Sequence, residues 1–140
     1  GIEGRPGSAP GLGVLDVRTV LEPAKTLALT EARALASGET VEGYEIHLGR
    51  TVGADCARAW LDLGDGRRDG AASPDGRVMG TYLHGLFASD GFRRAYLAGL
   101  GAAPSDRGYD DGVEAALDAL AAHCETHLDL DRLFDLAGPV

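Results

Sequence analysis

The sequence predicts an α/β fold, with a mixed sheet in its first half and helices in its second. Three observations carry that expectation. Up to about residue 87, apolar residues alternate with polar ones or cluster in runs rich in Val, Thr and Tyr, which suits strands. Beyond it the apolar period lengthens to four, which suits helices. The chain also opens in a Gly/Pro loop, GIEGRPGSAPGLG, without the usual first βαβ unit, so a part of an α/β domain is expected to be missing upstream.

Residues 12–21, LGVLDVRTVL, mix alternation with β-branched side chains and are expected to form the first strand. EPAKTLALTEARAL continues it ambiguously, since Thr and Leu favour a strand and Ala a helix. Residues 40–52, TVEGYEIHLGRTV, alternate well, with Val41, Tyr44, Ile46 and Leu48 as apolar members and Gly43 as a candidate bulge. LGDGRRDGAASPDG is expected to be a loop, and its Asp75-Gly76 pair a turn into the next strand, residues 76–87. Ser89 or Asp90 then offers a helix N-cap, Phe92, Tyr96 and Leu100 follow at spacings of four, and Gly101 closes the helix. A second helix is expected from about residue 111 to 128, with Val113, Leu117, Leu120, Cys124 and Leu128 as its stripe, and LDRLFDLAG forms a short third.

Composition narrows the function. The 140 residues are 44% hydrophobic and 25% charged, enough for one globular domain with a core. A net charge of -9 with scattered arginines disfavours nucleic-acid binding, which needs clustered cations. No apolar run approaches the roughly 18 residues that span a membrane, and no signal-peptide pattern opens the chain. Two cysteines make no disulfide framework, so a reduced, cytoplasmic location is expected.

The most informative stretch is RVMGTYLHGLFASD. His84 stands at a strand end before a Gly-Leu turn, where a general acid–base histidine suits an α/β site. In GYEIHLGRT, Glu45 and His47 are two apart and share one strand face, while Tyr44, Ile46 and Leu48 share the other. They are a candidate hydrogen-bonded pair or pair of metal ligands; a plain polar strand face fits the spacing better. His123 and His127 lie at i and i+4 on the second helix, but Cys124 holds the place where a zinc protease needs glutamate, so no metal is expected. Neither cysteine looks activated: Cys56 lacks a glycine-rich elbow and Cys124 falls on an apolar stripe. No serine elbow exists. His84 is thus a candidate base, with an ordinary hydrogen-bonded histidine as the alternative, and no nucleophile is found for it. Ile2-Glu3-Gly4-Arg5 also spells an engineered protease site, and reads either as a scar or as native chain.

Taken together, GIEG…PGLGVLDVRTVLEPAKT, GYEIHLGRT, GTYLHGLF, FRRAYLAGL and HLDLDRLFDLA resemble, in order and over essentially the whole chain, the C-terminal part of the cobyric acid synthase family. A GIEG-like loop is usual there, which favours the native reading of the opening. The resemblance implies a partial class I glutamine amidotransferase domain of flavodoxin-like fold over residues 1–140, beginning after the nucleophile elbow. It implies a glutaminase in which His84 works with an upstream cysteine. Ammonia from glutamine would amidate carboxylates of adenosylcobyrinic acid a,c-diamide, in a glutamine-dependent ligase of cobalamin biosynthesis. ATP and magnesium would bind in an N-terminal domain, together with the corrinoid, so this chain is expected to hold no cofactor and to be inactive alone. Many class I amidotransferases carry His-x-Glu; here Leu86 stands two after His84, and the cobyric acid synthase branch shares that lack. Glu45 and His47 are therefore candidates to orient His84. Rival expectations are a sister amidotransferase (cobyrinic acid a,c-diamide synthase, or the glutaminase subunit that amidates lipid II), a non-catalytic binding module, and a metal-binding protein.

Overall fold

A computed structural model gives the fold, and it describes residue 2, residues 4–64 and residues 66–138. The GIEG opening therefore lies partly outside the described residues. Residues 1–104 form one compact unit and residues 105–140 a second.

The first unit is built on a long hairpin. β1 (Arg18–Ala34) pairs antiparallel with β2 (Thr40–Val52), from Arg18↔Val52 to Arg33↔Thr40. The ambiguous EPAKTLALTEARAL stretch is thus strand, and the first strand begins at Arg18 rather than residue 12. The register breaks between Leu21 and Thr26, where Pro23 has no N–H to give to a ladder. The expected bulge at Gly43 is absent, since Gly43 pairs in register with Thr30. At the turn, Gly38 takes a positive φ of 75° and donates its N–H to the Ala34 carbonyl at 2.8 Å.

The stretch expected to be a loop carries strands. β3 (Leu61–Gly64) pairs with β4 (Arg67–Asp69), and β5 (Ala71–Ala72) with β6 (Met79–Gly80). Backbone pairing decides here, because Arg67–Asp69 has no apolar alternation to announce a strand. Asp75-Gly76 does turn the chain: Ser73 accepts from the Val78 amide, and the Ser73 hydroxyl and Arg77 amide hold the Asp75 carboxyl below its usual range. Residues 76–87 are not one strand. They split into β6, β7 (Leu83–His84) and a 3-10 turn, Leu86–Ala88. The main sheet runs in the order β4-β3-β1-β2-β7.

Leu61, Leu83 and Val41 are fully buried and form the core with Ala32, Ala34, Leu86 and Phe92. α1 (Asp90–Gly99) covers it through Phe92 and Tyr96, beside Trp60 and Phe87. The Ser89 side chain does not cap this helix; its hydroxyl accepts from the Glu42 amide at 3.0 Å and so ties the helix start to β2. Leu100, expected in the apolar stripe, is 68% exposed.

The second unit holds α2 (Tyr109–His127) and α3 (Leu130–Ala137). Asp129 caps α3 by accepting from the Arg132 amide. Val113, Leu117 and Leu120 of the expected stripe lie on α2 but are exposed, Leu128 falls just past its end, no residue of either helix is buried, and Cys124 is only partly covered. Cys124 is therefore not a core residue as expected. Among the described residues no helix is long and apolar enough to cross a membrane.

Leu61→Ala is expected to cost about 2–5 kcal/mol, since a fully buried leucine leaves a cavity on truncation. Urea unfolding followed by the single tryptophan, Trp60, measures this directly; a cost under 1 kcal/mol would place Leu61 outside the core.

Candidate active site

His84 owes its position to a two-residue strand with a glycine on each side of the junction. β7 pairs with β2 as Tyr44↔His84 and Glu45↔Leu83. That close approach requires Gly43: a Cβ there would lie 2.1 Å from the His84 carbonyl oxygen and 3.1 Å from the Leu83 side chain. Gly85 follows at φ 83°, a left-handed conformation that turns the chain straight into the 3-10 turn. Arg93 of α1 then donates to the Phe87 carbonyl at 2.6 Å, which closes the turn onto the helix.

From the other side, Asp69 holds the approach to β7. Its carboxylate accepts from the Tyr82 amide at 2.9 Å and from the Thr81 hydroxyl, and that hydroxyl accepts from the Leu83 amide at 3.0 Å. Sequence reading missed Asp69, since an aspartate in a short polar strand carries no local signal.

Directly paired residues share a face, so His84 and Tyr44 point one way and Leu83 and Glu45 the other. Leu83 and Glu45 are buried; Tyr44 is half-exposed, and its ring stacks on the His84 imidazole at 5.0 Å between centroids and 11° between planes. β2 thus inverts the ordinary polarity. Val41 and Glu45 face the core while Tyr44 and Ile46 face outward, opposite the exposed Leu29 and Leu27 of β1. The Glu45 face is not the solvent-facing polar face that spacing favoured.

Glu45 and His47 do meet, with Oε1 and Nε2 3.8 Å apart. Glu45 also accepts from Thr30 at 3.2 Å and lies 3.7 Å from the Arg67 guanidinium. The His47 Nδ1–H donates to the Gly49 carbonyl at 2.9 Å, which turns Nε2 toward Glu45. His47 stacks on Tyr82 at 4.1 Å, and the Tyr82 hydroxyl continues into Thr51 and Thr19 at 2.6 Å each. Neither Glu45 nor His47 contacts His84 in this arrangement. The nearest link is the stack of His47 on Tyr82, two residues before His84.

Beside His84 lies an open depression of about 480 Å³, bordered by Leu29, Glu31, Glu42, Gly43, Gly85 and Ala88. A cavity of about 300 Å³ on the Thr19, Thr51 and Tyr82 side contains Cys56 and not His84. Cys56 Sγ lies 4.0 Å from the Thr51 carbonyl oxygen. Thr51 is seven positions along β2 from Tyr44, roughly 23 Å at strand rise, so Cys56 is far outside thiol–imidazole reach of His84. The His123 and His127 rings lie on one face of α2 with centroids 4.3 Å apart and planes tilted by 46°, and among the described residues no group of three metal-ligating side chains forms.

Residues 1–92 match the family model of the CobB/CobQ-like glutamine amidotransferase domain. A protein of Cereibacter sphaeroides named cobyric acid synthase is 57% identical over 98% of this chain. Proteins of the same name from Ruegeria sp. and Methylorubrum populi are 56% and 52% identical over all of it. The chain spans only 28–29% of the length of these relatives. No solved structure matches it.

Gly43→Ala forces β7 away from β2 and is expected to cost on the order of 1–3 kcal/mol, because the clash is with backbone. Urea unfolding tests it, with Gly99→Ala as a control whose added methyl meets nothing within 4 Å. Equal stability of the two variants would refute the close packing at Gly43.

Proposed function

Because this chain belongs to the family of CobB/CobQ-like glutamine amidotransferase domains, we propose that it is the His84-bearing part of the glutaminase of a cobyric acid synthase. The observation that supports this reading best is the presentation of His84. It stands exposed at the end of β7, one residue before Gly85, which borders the depression, and inside the segment that matches the family.

In this mechanism a cysteine outside the chain supplies the thiolate, which attacks the side-chain amide carbon of glutamine. The amide nitrogen leaves as ammonia with the proton delivered by the His84 imidazolium. The resulting thioester is hydrolysed by water that gives its proton to neutral His84, and glutamate departs. Cys56 lies too far from His84 to serve as the nucleophile. The ammonia then amidates activated carboxylates of adenosylcobyrinic acid a,c-diamide.

We assign the ATP- and magnesium-dependent activation step to residues outside this chain; the reading is supported by its single lysine, Lys25, which follows Ala24 in PAKT rather than the glycine of a phosphate-binding loop. The names of the relatives favour this acceptor over those of the sister amidotransferases.

In an intact synthase that carries this chain, His84→Ala is expected to lower glutamine-dependent amidation about 10²–10⁴-fold. Amidation driven by added ammonium salt should stay within about twofold of the parent. The paired assay separates a lost glutaminase from a damaged synthetase; glutamine-dependent turnover at the parent rate would remove His84 from the mechanism.

A further inference from the structure

We propose that Tyr44 is the positioning residue of His84, fixing the plane of the imidazole by ring stacking where related enzymes use an acidic partner; this rests on His84 being the glutaminase acid–base. The two rings are nearly parallel, and their residues stand directly opposite in the β2–β7 register, so the stack is set by the backbone. β2 is firmly placed, since β1 pairs with it continuously from Thr40 to His47. Gly85 borders the stack: a Cβ there would lie 4.0 Å from Tyr44 Cε1, in ordinary van der Waals contact.

The usual alternative is filled otherwise. Leu86, two residues after His84, is buried in the core and cannot supply a carboxylate. Glu45 points to the opposite face. The carboxylates on the His84 side are Glu31 and Glu42, which pair with each other in register on β1 and β2. Among the described residues no hydrogen bond or ion pair is made by the His84 ring, whereas Tyr44 stacks on it. Stacking has a chemical consequence that a hydrogen bond lacks. It restrains the ring plane through its face and leaves both nitrogens open at the edge, where protons are exchanged.

The test uses an intact amidotransferase carrying this chain, with Tyr44→Phe, Tyr44→Leu and His84→Ala. Tyr44→Leu is expected to lower kcat for glutamine hydrolysis about 10- to 100-fold with KM changed less than threefold, the loss typical of a displaced reacting group. Tyr44→Phe keeps the ring and should retain kcat within about twofold. In spectra of ring-labelled histidine, the His84 signals should move downfield in Tyr44→Leu as the ring current is lost, and stay in place in Tyr44→Phe. Parent kcat and unmoved His84 signals in Tyr44→Leu would overturn the proposal, as would an equal loss in Tyr44→Phe, which assigns the role to the hydroxyl. A fully active His84→Ala would instead overturn the reading of His84 itself. Tyr44 is half-exposed, so neither substitution opens the core, and the spectra report on the stack even where activity is lost.

Discussion

The contact on which the site depends is the approach of the Leu83–His84 backbone to β2 at Gly43. A two-residue strand contributes little pairing of its own, so its position is set by what holds it at both ends. Leu83 is driven into the same core as Val41 and Leu61, and the carbonyl of His84 comes to rest over a residue with no side chain. Hydrophobic burial supplies the force and glycine supplies the room. His84 then faces outward because Leu83 faces inward; the alternation of a strand converts one buried leucine into one presented histidine.

Around that contact, polar groups fix the segment rather than the ring. Asp69 gathers the Thr81 hydroxyl and the Tyr82 amide, Thr81 takes the Leu83 amide, and His47 stacks on Tyr82 under the hold of Glu45. Each is partly buried, where a satisfied polar network is rigid and a broken one is costly. Glu45, nearly fully buried, is the most constrained of them: Thr30, His47 and Arg67 surround it, so its charge has partners on three sides.

Much of this was legible in the sequence, and the limits follow from what each signal measures. β2 is legible at its observed bounds because its alternation is long, and His84 is marked as a candidate by its place at a strand end before a Gly-Leu turn, a place an ordinary hydrogen-bonded histidine also fits. The face of β2 was read backwards. Spacing shows that Glu45 and His47 share a face but not which face is buried, and here Val41 and Glu45 went inside with Leu83. Residues 63–76 look like a loop in the sequence because RRD and AA pair through backbone alone. Tyr44 and Asp69 were invisible for a related reason: their contacts with His84 and with Thr81 cross strand pairs and turns far apart in sequence.

Position 86 shows how the fold and the chemistry constrain each other. An acid two residues after the histidine would sit in the 3-10 turn, at the place where Leu86 enters the core beside Phe92. A carboxylate there would be buried among apolar side chains, a cost that only a charged or hydrogen-bonding partner offsets. With leucine instead, the turn gains an anchor, and Leu83 and Leu86 bracket His84 with two buried contacts. The histidine is thereby held from its backbone on both sides, and its ring needs only a flat neighbour to settle its plane. Tyr44, opposite in register, is that neighbour. If His84 is the acid–base residue proposed here, the strand pairing would do the orienting work of a hydrogen-bonded acid and leave both imidazole nitrogens free for proton transfer.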